Sequence, residues 1–376
     1  MNALILLAAG GTGGHMFPAE ATARALVARG YRVLLVTDRR GDAHVGRFPG
    51  VDVRVIAAGG IAGRGLWQRA NAAVQLGLGF IQASILLATA KPAAVIGFGG
   101  YAAIPTMAVA ILLRLPTALH EQNAMLGRAN RLLAPRVRLI ATSFASTQRI
   151  RDVDRGKVIV TGNPVRGEIA ALASLPYPGL GARERFRLLV LGGSQGARVF
   201  SRVVPAAVLL LSDERRGRLK IEQQARPEDE DAVRAAYAEA GVEAEVSSFF
   251  KDVPSRLATC HLLISRAGAS SCAELTAAGR PAILVPYPHA IDDHQTANAQ
   301  AIDAVGGAWL IPERSLGEAK LAERLDALIA MPEALGGAAR AARAAGRPDA
   351  AERLAALVER LLPSNGNHGS YKVAAE

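Results

Sequence analysis

Short apolar runs alternate with longer Ala-rich segments along most of the chain, and the alternation predicts strands separated by helices. NALILLAA, RVLLVTD, VDVRVIAA, AAVIGFG, TALHEQ, RLIATS and KVIVTGN have the length and the Leu, Ile and Val content of buried strands. A second series begins with RLLVLGGS and continues through LKIEQQ, EAEVSSF, HLLISRAG, AILVPYP and AWLIP. Strands interleaved with helical periods read as βαβ units in parallel sheets, so an α/β chain with two doubly wound halves is expected. After about Glu318 the pattern is almost wholly helical: GEAKLAERLDALIAM and PDAAERLAALVERLL repeat apolar residues at three- and four-residue spacing. The polar stretch from Ser364 onward predicts a disordered tail.

The halves are expected to divide after TGN, because Pro164 and the following ASLPYPGLGARE supply linker composition. That division gives a first domain of residues 1–163 and a second of 164–345. A length of 376 residues agrees, since it exceeds what one hydrophobic core usually serves.

Charge narrows the function classes. Lys and Arg number 44 against 33 Asp and Glu, a net +11. That excess suits nucleic acid, an anionic membrane surface, an anionic substrate such as a sugar nucleotide, or a plain Arg-rich compositional bias. No run of five consecutive basic residues and no RNA-recognition or zinc-finger pattern is present, so nucleic acid is set aside. Cys260 and Cys272, the only cysteines, match neither a CxxC redox pair nor a zinc spacing and read as small buried thiols in a reducing compartment. ALILLAAG has no Lys or Arg before Arg24, which favours a first strand over a signal peptide. VQLGLGFIQASILLATA, Val74 to Ala90, contains Gln75, Gln82 and Ser84. It falls short of the ~20 residues a bilayer requires and is expected not to span.

Candidate chemistry gathers in four places. Gly10, Gly11, Thr12, Gly13 and Gly14 lie between the first strand and a helix that Pro18 is placed to start. Close backbone approach and a helix N-terminus favour an anionic or oxygen-rich ligand there. The dinucleotide fingerprint GxGxxG fits Gly11 and Gly13 but meets Met16 at its third glycine; with Asp38 placed as a ribose acid, a nicotinamide enzyme stays open. His15, at the carboxyl edge of a sheet, is placed as a general base. In the second half, Gly192 to Gly196 satisfy the GxSxG of a nucleophile elbow, with His289 or His294 as partners, against phosphate cradling at Ser194.

The stretch Ser265 to Ala299 sets a Gly-Ala-Ser-Ser run before an Ala-rich helix. Glu274, in that helix's first turns, is either a surface acid or a carboxylate suited to accept ribose hydroxyls. Asp292, Asp293, His294 and Gln295 look superficially like a metal site, but adjacent positions point to different faces and no metal is expected. HEQNAMLGRAN brings His120, Glu121, Gln122 and Asn123 to one strand end, too polar for a core terminus without a partner, and these residues are expected to line a cleft.

Together, GGTGGHMFPA, GFGGYAAIP, HEQNAMLGRAN, TGNPVR, LGGSQGA and AGASSCAELTAAGRPAILVPYP followed by DDHQTANA resemble the MurG family of N-acetylglucosaminyltransferases, in order from residue 1 to about 310. The resemblance implies a GT-B fold in which two Rossmann-like domains face a cleft and the second binds the nucleotide sugar. Its final helix, near Asp349 to Leu362 within residues 346–376, would return to the first domain. It implies an inverting, metal-independent transferase with no cofactor. The reaction would move N-acetylglucosamine from UDP-N-acetylglucosamine (UDP-GlcNAc) to the 4-hydroxyl of lipid-linked N-acetylmuramyl-pentapeptide, lipid I to lipid II, in peptidoglycan synthesis and hence cell shape and division.

Carried over residue by residue, the family's base falls on His15. Its UDP-GlcNAc contacts fall on Thr12, Gly13, Gly14, Asn123, Arg166, Ser194, Phe250, Ala269, Ser270, Glu274 and Gln295, with Tyr101 and Glu121 on the acceptor side. Some members have paired glutamines where this chain has His294 and Gln295, and Gln295 is taken as the counterpart.

A lipid-linked acceptor also gives meaning to RGLWQRANAAVQLGLGFIQASILLATAK. Arg64, Arg69 and Lys91 are mixed there with Trp67, Val74, Leu78, Ile81 and Ile85, and Leu112, Leu113, Arg114 and Leu115 follow. A core helix is one reading. The other is an apolar patch rimmed by bases that lies on an anionic leaflet, at the cytoplasmic face of the inner membrane.

Overall fold

Two parallel sheets organise the chain in a computed structural model that describes residues 3–11, 13–42, 50–58, 66–181, 184–193 and 196–362, with the side chains of 42 and 66–69 outside the description. The first sheet comprises β1 (Leu4–Ala8), β2 (Arg32–Thr37), β3 (Asp52–Val55), β4 (Ala94–Gly97), β5 (Thr117–Glu121), β6 (Leu139–Thr142) and β7 (Val158–Val160). The second comprises β8 (Phe186–Leu191), β9 (Leu219–Gln224), β10 (Glu243–Ser247), β11 (Leu262–Ser265), β12 (Ala282–Leu284) and β13 (Ala308–Leu310). Each apolar run read as a strand contains one of these, save that β8 begins one residue ahead of its run.

The orders are β3-β2-β1-β4-β5-β6-β7 and β10-β9-β8-β11-β12-β13. In both sheets the order reverses beside the first strand, at β1/β4 and at β8/β11. A reversal sends consecutive helices to opposite faces and opens a crevice at the carboxyl ends of those strands, where ligands bind in such sheets. The Gly-rich turns after β1 and β8 therefore sit at the two crevices.

Alternation along the strands separates the layers. Ile5 and Leu7 join Ile96, Phe98 and Leu26 on one face of the first sheet, whereas Leu6 and Ala8 join Val95, Met107 and Leu119 on the other. The helix Ala350–Glu359, far along the chain, places Leu354, Leu357 and Val358 in the Ile5–Leu7 cluster. Arg29 reinforces that docking through Glu352 and Glu359, each at 2.7 Å. Cys260 and Cys272 are free and buried, and burial pushes both thiols up to about 12.

Two expectations change. The first helix runs Gly13–Ala28, so Pro18 lies inside it instead of starting it. Its missing N–H leaves the Gly14 carbonyl without the usual helical donor, and His15 moves from the loop into the helix's first turn. The helix Leu66–Ala90 is longer than the stretch read from the sequence, and Ala70–Ala90, with a mean hydropathy of 1.6, is long and apolar enough to cross a membrane by length and composition. It is nevertheless the connection between β3 and β4, with Ala83 and Leu87 in the core and Gln82 Oε1 accepting from the Ala57 N–H at 2.7 Å. Its outward face leaves Val74, Leu78, Ile81 and Ile85 between 45% and 61% exposed.

Candidate functional site

The turn after β1 owes its shape to close packing. A Cβ on Gly10 would come within 2.8 Å of the Ala102 Cβ, so only glycine lets this turn pass the helix Ala103–Leu112. Gly13 and Gly14 open the helix that follows, and first-turn N–H groups have no intrahelical acceptor. Thr12 lies outside the described residues.

His15 stands one residue further on, its ring against Gly99 and Gly100, whose φ values are +87° and +78°. Added Cβ atoms there would approach the ring to 3.4 and 3.3 Å, so the left-handed glycine pair makes room for the imidazole. Nδ1 lies 3.1 Å from Gln122 Oε1. Burial lowers the pKa of His15, opposed by the charge of Glu121 and the Gln122 acceptor, while the charge of His294 lowers it further.

Glu121, placed on the acceptor side by the resemblance, is held within its own loop. Its Oε1 accepts from the Asn123 N–H at 3.0 Å and from Asn123 Nδ2 at 3.2 Å; its Oε2 accepts from the Gly127 N–H and Asn130 Nδ2, both at 2.8 Å. With both oxygens engaged and 2% exposure, it organises the loop after β5. Tyr101, half-buried after the glycine pair, lies near enough to Arg128 to influence its charge. Asp38, the ribose acid of the nicotinamide alternative, is taken up by Arg40 at 2.7 Å and by the Gly41 N–H at 3.1 Å.

In the second half the helix Ala269–Ala278 starts at the carboxyl end of β11 with Gly268 as its cap, so Ala269 and Ser270 present first-turn N–H groups. The Ser270 hydroxyl is buried with no partner among the described residues. Glu274 follows one turn on, where its Oε1 accepts from Arg166 Nη2 at 3.2 Å. Burial raises the pKa of Glu274, and Arg166 opposes the shift. Gln295 Oε1 accepts from the Tyr287 N–H at 2.9 Å and holds the loop after β12. Ser194 lies outside the described residues, so neither its elbow nor its cradle geometry is on view.

Phe250, a UDP-GlcNAc contact by the resemblance, has its ring packed away inside its own domain. The side chain is 5% exposed, with the Arg256 guanidinium 3.9 Å from the ring centroid, while neighbouring Phe249 is 67% exposed.

Contacts between the halves are what motif reading missed. Asn298, fully buried on the helix His294–Asp303, accepts from the Ala124 N–H at 2.7 Å and donates to Asn123 Oδ1 at 3.1 Å and to the Ala267 carbonyl at 2.9 Å. Asp292 pairs with Arg128 at 2.9 Å, Arg131 at 2.7 Å and Arg149 at 3.3 Å, and these cations hold its carboxyl below the usual range. The DDHQ cluster is thus an ion-pair clasp at Asp292, with Asp292 and Asp293 both at φ 55°. Asn298 sits in a polar helix, HQTANAQAID, so no sequence signal singled it out, and nothing local announces the partners of Asp292.

Comparison with known proteins agrees with this architecture. The glycosyltransferase family 28 N-terminal domain matches residues 5–142 and the family 28 C-terminal domain matches residues 187–354. The chain is 56% identical over 361 residues, 96% of its length and 97% of the relative's, to the UDP-N-acetylglucosamine--N-acetylmuramyl-(pentapeptide) pyrophosphoryl-undecaprenol N-acetylglucosamine transferase of Paramagnetospirillum magneticum. The identically named protein of Rhodospirillum rubrum is 54% identical over 358 residues, 94% of this chain and 91% of that one. The crystal structure of Acinetobacter baumannii MurG superposes with a TM-score of 0.79 at 27% identity, covering 95% of this chain and 99% of that one. A UDP-GlcNAc 2-epimerase from Neisseria meningitidis shares the fold alone, with a TM-score of 0.66 at 12% identity over 96% of this chain and 100% of that one. Two Rossmann-like sheets that meet at their carboxyl edges, and a match along nearly the whole length, place the chain in the MurG family of glycosyltransferases.

Proposed function

We propose that the cleft moves N-acetylglucosamine from UDP-GlcNAc to the 4-hydroxyl of undecaprenyl-pyrophosphoryl-N-acetylmuramyl-pentapeptide, lipid I to lipid II, with inversion to a β-1,4 linkage. The observation that carries this reading is the junction of the two carboxyl edges. Asn123, next to the partner of His15, is bonded to Asn298, which in turn holds Ala267 just before the helix of Ala269, Ser270 and Glu274. This junction supports a reading in which base and donor site share one cleft.

Each residue then has a role set by its surroundings. His15 takes the proton of the attacking hydroxyl. Glu274, with an oxygen that has no hydrogen-bond partner among the described residues, accepts ribose hydroxyls. Arg166 and the N–H groups of Ala269 and Ser270 face the diphosphate, where charge develops as the sugar–oxygen bond breaks. Gly13 and Gly14 leave backbone N–H groups for the same oxygens, the Phe250 backbone and Gln295 bound the nucleotide and sugar, and Tyr101 stands toward the acceptor; Thr12 and Ser194 enter the proposal through the sequence resemblance alone. Alignment and electrostatics supply most of the acceleration; a general base contributes about 10²- to 10⁴-fold.

The proposed domain limits are residues 1–163 and 164–345, with 346–376 as a third segment; the helix Ala350–Glu359 packed on the first sheet supports the last of these. The outward face of the helix Leu66–Ala90 is the membrane surface of this peripheral enzyme, with exposed Leu112, Leu113, Lys91 and Arg114 beside it in the same half, on the cytoplasmic leaflet. Trp67, Arg64 and Arg69 belong to the same proposal but have no described side chains. The test is a panel of UDP-sugars offered with a lipid-linked muramyl acceptor and read by product NMR. UDP-GlcNAc alone should give a β-1,4 disaccharide; transfer from UDP-glucose at equal rate, or a retained anomer, refutes the reading.

A further inference from the structure

Behind His15 runs a chain of hydrogen bonds whose direction can be worked out from its ends. The Gly162 carbonyl lies 3.0 Å from His120 Nε2 and can only accept, so that nitrogen carries the proton. His120 is fully buried, and burial takes its pKa down to about 4, so the ring is neutral and its Nδ1 is bare. Gln122 Nε2 lies 3.0 Å from that Nδ1 and 2.8 Å from the Phe98 carbonyl, two acceptors that fix the amide's orientation. Gln122 Oε1 must therefore point the other way, toward His15 Nδ1 at 3.1 Å, and it too can only accept. Neutral His15 consequently carries its proton on Nδ1 and its lone pair on Nε2. The opposite tautomer would set the ring's lone pair against that of the buried Gln122 amide, and a flipped Gln122 would set its oxygen against both the His120 Nδ1 lone pair and the Phe98 carbonyl.

We propose that His120 and Gln122 are positioning residues of the transfer reaction, which act through His15 by holding it in the tautomer whose Nε2 can take the acceptor's proton. This role rests on His15 being the base. During the step the 4-hydroxyl proton passes to Nε2, the oxygen bonds to the anomeric carbon, and the bond from that carbon to the diphosphate breaks, leaving UDP. The resulting imidazolium keeps its Nδ1–H on Gln122, so no proton travels along the chain and no amide need ionise. Glu121, His120 and His294 are the titratable groups that act on His15.

Nitrogen-15 NMR of imidazole-labelled protein tests this, with the His15 signals among seven histidines assigned by their loss in His15→Gln. The native protein, once assigned against folded His15→Gln, should show neutral His15 as the Nδ1–H form. Gln122→Met, close in size at a position 1% exposed, should shift His15 toward the Nε2–H form and lower kcat about tenfold or more. KM for UDP-GlcNAc and the UDP dissociation constant should stay within about twofold, which a general structural loss would not allow. An Nε2–H signal in the native protein, or an unchanged kcat in folded Gln122→Met, overturns the proposal. Full turnover by His15→Gln would instead overturn the reading of His15 as base, so the two failures are told apart.

Discussion

Replacing Glu274 with alanine is the sharpest test of the donor site. In the free protein one carboxylate oxygen accepts from Arg166 at 3.2 Å and the other has no partner among the described residues, although the side chain is only 20% exposed. A charge this poorly solvated gains from any donor brought to it. Two ribose hydroxyls on a carboxylate contribute about 1.5 to 3 kcal/mol each, or 10²- to 10⁴-fold in dissociation constant. Alanine also removes a carboxylate that burial disfavours and frees Arg166 for the diphosphate, which places the expected loss near the lower end, about 100-fold. Titration calorimetry with UDP on native protein and Glu274→Ala measures it directly. A parallel titration with 2′-deoxy-UDP closes a double cycle: the deoxy ligand should lose affinity on the native protein and lose little more on the variant. Because burial raises the Glu274 pKa, UDP affinity should fall earlier on acidification than an exposed carboxylate would dictate. If Glu274→Ala binds UDP within about threefold of native, the carboxylate does not hold the ribose.

Two further outcomes are expected. Serine at Leu78, Ile81 and Ile85, which are 45%, 60% and 61% exposed, should leave folding, UDP affinity and turnover of a short-chain soluble acceptor intact. Binding to vesicles of anionic lipid should fall at least about tenfold, together with turnover of the long-chain acceptor; unchanged vesicle binding would move the membrane surface elsewhere. For His120, a native pKa of about 4 against 6.5 in the unfolded chain means the unfolded state binds the proton first as pH falls. Its stabilising contribution is complete above pH 6.5 and declines toward pH 4 by about 3 kcal/mol. Urea unfolding of native protein and His120→Phe over that window should converge, and parallel pH profiles would refute the buried neutral ring.

Much of this molecule was legible in its sequence because the deciding forces are local. Dense Leu, Ile and Val runs such as LILLA, VLLV and LLIS form little but buried parallel strands, and the alternating or mixed runs DVRV, LKIEQQ and EAEVS fill the remaining places in the two series. A glycine cluster between strand and helix marks a backbone that something must approach, which is how His15 and the Gly192–Gly196 turn were found. Tertiary structure decided what depends on distant partners. Glu121 and Phe250 carry side chains that suit a ligand, but hydrogen bonds from Gly127 and Asn130 and the Arg256 guanidinium engage them first. Asp292 meets its three arginines only because the two sheets face each other. The tautomer of His15 lies furthest from the sequence: it is fixed by the carbonyls of Phe98 and Gly162, identical backbone atoms that no residue type announces and that only the fold brings to the ends of one hydrogen-bonded chain.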